Sequence, residues 1–62
     1  MKFVLEVDMT DAAFREHASD EIGRILRYWG GNVRHYPLAP GDGEAIYDSA
    51  FREVGAWRVT ES

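Results

Sequence analysis

The sequence predicts an α+β fold, strand–helix–strand–strand, with one helix packed on a three-stranded sheet of order 1-3-2. Three observations predict it. Phe3, Leu5 and Val7 alternate with Lys2, Val4, Glu6 and Asp8, the period of two expected of a half-buried strand. Ile22, Ile25, Leu26 and Trp29 recur at i, i+3, i+4 and i+7, which places them on one stripe of a helix. Two short runs near the end of the chain, Glu44 to Asp48 and Glu53 to Thr60, read as strands joined by a turn. A helix that returns the chain makes the second strand parallel to the first. The third is then antiparallel to both, and a central position for it buries Trp57.

In chain order, the first strand runs from Lys2 to Asp8. Thr10 and Asp11 cap a turn through Asp11-Ala12-Ala13-Phe14, and the small alanines let Phe14 fold back as a plug between strand and helix. The helix is expected from Ser19 to Gly31. Ser19 accepts a hydrogen bond from a free first-turn N–H, with Ala18 before it as an apolar staple. Asp20 and Glu21 favour the positive end of the macrodipole, Arg24 and Arg27 follow, and Gly30-Gly31 supply a left-handed stop. From Gly30 to Gly43 four glycines and two prolines in fourteen residues predict one long loop, closed by the turn Gly41-Asp42-Gly43.

With the hairpin tip at Ala50-Phe51, Ile46 lies opposite Gly55 and Tyr47 opposite Val54. Ile46, Gly55, Trp57 and Val59 then face the helix, and the missing side chain at Gly55 lets the helix approach closely. The outer face collects Val4, Ala45, Tyr47, Val54, Ala56 and Arg58. Phe3, Phe14, Trp29 and Trp57 read as core, while Tyr28, Tyr36, Tyr47 and Phe51 have no evident buried place.

Sixty-two residues make one domain with a marginal core and no cysteine to cross-link it. Ordering entropy of roughly 1.5 kcal/mol per residue nearly cancels what such a core contributes, so further burial against a partner is expected. The absence of cysteine excludes a disulfide framework and thiolate metal sites. A net charge of −4 from eleven dispersed acids is the wrong sign for a general nucleic-acid binder. Glu6 comes too early for a signal peptide and no apolar run reaches membrane-spanning length. A soluble, cytoplasmic protein is expected.

Candidate chemistry is sparse. His17 lies among Asp8, Asp11, Glu16, Asp20 and Glu21, so a small metal- or phosphate-handling enzyme using His17 with Asp11 or Asp20 is one alternative. The spacing matches no metal signature, and a solvated surface histidine explains it. Gly41-Asp42-Gly43 lacks the Lys and Ser/Thr of a phosphate loop. Arg34, Pro37 and Pro40 fit a polyproline ligand pattern that an ordinary stiff loop also produces. A second alternative is a nucleic-acid-binding module using Arg34, His35 and Tyr36 with Asn32, through phosphate contacts and base stacking.

The opening strand from Phe3 to Asp8, then Asp11-Ala12-Ala13-Phe14, Ile25-Leu26-Arg27, Gly41-Asp42-Gly43, Ile46-Tyr47-Asp48 and Val54-Gly55-Ala56-Trp57-Arg58-Val59 occur in an order that resembles small, mostly uncharacterised proteins of actinobacterial phages. The resemblance covers most of the chain and implies a phage accessory role, without catalytic residues to carry over. Those proteins commonly place Asn-Gly at the hairpin tip; Ala50-Phe51 here implies a longer loop.

The expectation for function is a small interaction protein that binds a host protein or itself as a homodimer, with no catalysis and no cofactor or metal. Tyr47, Val54, Val4 and Ala56 form a surplus of apolar side chains on the outer face with Phe51 at its tip. Tyr47, Phe51, Val54, Val4, Arg58 and Tyr36 are the predicted protein-binding residues. The competing expectation is that the loop from Gly30 to Gly43 covers this face with Tyr36, Pro37 and Leu38.

Overall fold

The computed structural model describes all residues, 1–62. Its elements are β1 (Lys2–Val7), α1 (Ala13–Asn32), a 3-10 turn (Val33–His35), β2 (Gly43–Tyr47) and β3 (Glu53–Thr60). β3 lies between β1 and β2 and is antiparallel to both. The predicted fold, strand order and strand directions are those observed.

Phe14, Ile25, Ile46, Val54, Trp57 and Val59 form the core, flanked by Leu5, Val7, Ala18, Ile22, Trp29 and Val33. Each fully buried side chain of this size contributes about 1.5–3 kcal/mol. Trp57, 1% exposed, is the hub of an aromatic cluster: Phe3 stacks on it at 5.4 Å, and Trp29 and Tyr36 meet it edge-on at 5.5 and 5.1 Å. Phe14 plugs the strand–helix junction as expected, 4% exposed.

The helix differs from expectation at both ends. It begins at Ala13 and is broken at His17, whose φ of −130° and ψ of 40° lie outside the helical region. Ser19 is therefore inside the helix and is not its cap. The buried stripe runs through Phe14, Ala18, Ile22, Ile25, Trp29 and Val33, while Leu26 lies 53% exposed at its margin because a sheet of three strands covers only a narrow arc. Gly30 and Gly31 do not stop the helix. It continues through them to Asn32, and the N–H of Val33 donates to the Trp29 carbonyl, since packing Val33 offsets the low helix propensity of two glycines.

The hairpin register holds at Ile46↔Gly55 and then shifts, so that Tyr47 pairs with Glu53 and not with Val54. The extra residue is Val54. A bulge breaks the period of two, and Val54 joins the core at 7% exposure in place of the outer face. Gly55 is required for a different reason from the one expected: a Cβ there would strike the Glu6 carbonyl oxygen and lie 3.0 Å from the Val7 Cα, so it is the β1 backbone, not the helix, that comes close. The loop after α1 shrinks to residues 36–42, and Tyr36 and Leu38 pack on the helix side of the sheet against the core. It does not cover the outer face.

Candidate interaction site

Because β3 is central, β2 is an edge strand, and α1 does not close over it. The helix is held beside this edge at one end by Arg24, whose Nη2 donates to the Tyr47 carbonyl at 2.9 Å. Glu21 Oε1 accepts from the same Nη2 at 3.4 Å and from the Ser49 N–H at 3.2 Å, which ties the helix to the hairpin tip. At the other end the Tyr36 hydroxyl donates to Glu44 Oε2 at 2.9 Å. Between these anchors lies a cleft of about 360 Å³, bordered by Tyr28 and Trp29 on the helix and by Tyr36, Glu44, Tyr47 and Phe51 opposite.

The edge itself carries free backbone groups. The Val59 N–H donates to the Asp42 carbonyl and the Asp48 N–H to the Arg52 carbonyl, both at 2.9 Å, so the even positions of β2 turn toward β3. Alternation then turns the N–H and C=O of Gly43, Ala45 and Tyr47 outward. Arg24 occupies the Tyr47 carbonyl, and Ala45 is left with no strand beside it.

The hairpin tip is built on Asp48, the one buried acid in the chain, at 2% exposure. Its Oδ1 accepts from the N–H groups of Ala50 and Arg52, each at 2.8 Å, and its Oδ2 accepts from Arg52 Nε at 3.3 Å. Asp11 reaches the same Nε at 3.4 Å. The neighbouring Asp11 carboxyl, then the hydrogen bond from the Arg52 amide, holds Asp48 down to about 2, against the opposing effect of burial. This knot forces Phe51 into a φ of 62°, and its ring stands 87% exposed. The five residues 48–52 make the longer loop that Ala50-Phe51 implied. Across the cleft, the hydrogen bond to Glu44, followed by burial and the Glu44 charge, raises Tyr36 above the ordinary tyrosine value.

The predicted binding residues separate into three places. Tyr36, Tyr47 and Phe51 meet around the cleft. Val4 and Arg58 pair in register on the outer face, where Val4 is half-buried and Arg58 is bound to Glu6 at 2.6 Å. Val54 is in the core, and its loss with the Arg58–Glu6 bridge leaves the outer face less apolar than expected. Of the alternative sites, His17 is exposed at the helix break, and no group of three or more His, Asp or Glu is placed to hold a metal ion. Arg34 and His35 are exposed on the 3-10 turn, but Tyr36 is turned away into the Trp57 cluster and offers no ring for a base beside them. Arg24 and Glu44 were missed, and Tyr28 was singled out as a ring without a buried place but not placed among the binding residues; the edge position of β2, which follows from the order 1-3-2, was the available signal. No protein-family model, curated protein or solved structure matches the chain.

Proposed function

We propose that this chain is a small, non-catalytic interaction protein that binds another protein, or itself, through the α1–β2 cleft and the Phe51 tip. The observation that carries the reading is Phe51. A non-glycine residue with positive φ is disfavoured by about 1–2 kcal/mol, and a large ring in water forgoes its burial; here one residue does both. Strain that the fold leaves uncompensated in this way is the kind that clusters at functional sites. Tyr28 and Tyr47, 55% and 49% exposed, extend the apolar surface beside it, and exposed aromatic residues are the usual anchors of interfaces. The charged groups nearby, Glu21, Arg24 and Asp48, are engaged in holding the fold, which supports binding over chemistry. The resemblance to phage accessory proteins supports a host factor as partner.

The test places a photo-crosslinking p-benzoylphenylalanine at position 51 and compares the adducts with sedimentation of wild type, Phe51→Ser and Tyr47→Ser. The expected result is a discrete adduct from position 51 that is lost when Tyr47→Ser is added, or a dimer lost in both serine variants, with circular dichroism unchanged. A chain that stays monomeric and gives no adduct in extracts of its host would sink the reading.

A further inference from the structure

Resting on that reading, we propose that the partner is an extended peptide segment that adds to the free edge of β2 as a fourth, antiparallel strand and presents a Lys or Arg side chain to Glu44. Three observations converge on this occupant. The first is the backbone of Ala45, whose outward N–H and C=O are a ready template for one more strand. A peptide residue opposite Ala45 exchanges both hydrogen bonds with it. The second is register. Ile46 is buried on the helix side, so Glu44 shares that side, and the peptide residue opposite Glu44 points its side chain into the cleft.

The third is charge. The ion pairs of the molecule join Arg24 to Glu21, Arg52 to Asp11 and Asp48, and Arg58 to Glu6. Glu44 has no cation, although it stands among Tyr28, Trp29 and Tyr36 at one end of the cleft. An incoming ammonium or guanidinium would meet a carboxylate bordered by aromatic rings, two kinds of group that attract a cation. Arg24 fixes the orientation by repelling a cation at the other end, about 10 Å along the strand. The net charge of −4 steers basic segments toward the protein as a whole.

The experiment selects from a displayed library of random linear peptides on the full chain. It then measures the selected peptides by fluorescence anisotropy and by amide shifts. The expected peptides carry a Lys or Arg among alternating β-branched residues and move the amides of Gly43, Ala45 and Tyr47. Glu44→Gln, a surface change, weakens them about fivefold, the scale of an exposed ion pair. Ala45→Pro, tolerated on an edge strand whose N–H faces outward, abolishes binding.

Selected peptides that are neutral or acidic, or that ignore Glu44→Gln, would overturn the cationic strand. If those peptides still require Phe51, the interaction reading survives without it. A dimer dissolved by Ala45→Pro would put a second copy at this edge and overturn the peptide. No selected peptide together with a silent crosslinker at position 51 would remove both readings.

Discussion

The turns that flank β2 each hold a non-glycine residue with positive φ, Leu38 at 57° and Phe51 at 62°. Both are fastened by an aspartate: Asp42 Oδ2 accepts from the Ala39 N–H at 3.1 Å, and Asp48 accepts from two amides and a guanidinium. The difference lies in what the strained side chain obtains. Leu38 is half-buried and packs against the core, so the burial of its side chain offsets its backbone strain within the monomer. Phe51 packs against almost nothing. Equal strain with unequal compensation separates a residue placed for folding from one that, on the proposed reading, is placed for a partner.

The comparison breaks most severely at the aspartates. Asp48→Ala removes three acceptor contacts at once and leaves two part-buried amides without their partner, and it should cause the largest loss of stability in urea titration. Asp42→Ala, which removes one exposed side-chain bond, should lose far less. The same group sets an acid limit. Its pKa is depressed in the folded chain, so its contribution is complete above the ordinary aspartate range and is lost as pH falls from about 4 toward 2. Acid titration followed by near-ultraviolet dichroism should show this step in the wild type and not in Asp48→Asn.

At the strained positions themselves, Leu38→Ala keeps the positive φ and gives up packing, and should cost about 1–2 kcal/mol. Phe51→Gly runs in the opposite direction. Relief of about 1–2 kcal/mol of steric strain, less the backbone entropy that glycine loses, leaves a gain of about 0.5–1 kcal/mol. A variant that is more stable and no longer binds would sharpen the contrast; one that is less stable would show Phe51 to be part of the core. The smallest effect is across the cleft. Glu44→Gln should bring the tyrosinate titration of Tyr36 down toward the ordinary value, read by ultraviolet absorbance. In the wild type the raised pKa contributes stability below about pH 10 that fades as pH rises past the folded value.

Where the chain follows one period throughout, its pattern was readable. The alternation of β1, the span of β3, the pairing of Ile46 with Gly55 and the plug at Phe14 all follow from spacing alone. The errors come from places where the period is interrupted. One extra residue at Val54 reverses which face that side chain occupies, and no residue type announces the bulge. Gly30 and Gly31 carry a stop signal that tertiary packing overrides. Gly55 was recognised as a close approach, but only the paired backbone of β1 shows which neighbour approaches. The cleft was legible in part: Tyr28, Tyr36, Tyr47 and Phe51 stood out as rings without a core position, whereas Arg24 and Glu44 acquire their roles from elements far apart in the chain.

The central position of β3 bears on how the chain reaches this fold. β3 is the last element along the chain, yet both other strands depend on it, and Lys2 pairs with Thr60. As the chain emerges during synthesis, β1 and β2 have no strand to pair with until residues 53–60 are made. β2 and β3 can then pair locally as a hairpin, and the docking of β1 on β3 is the one late step of high contact order, which makes it the slow step of folding.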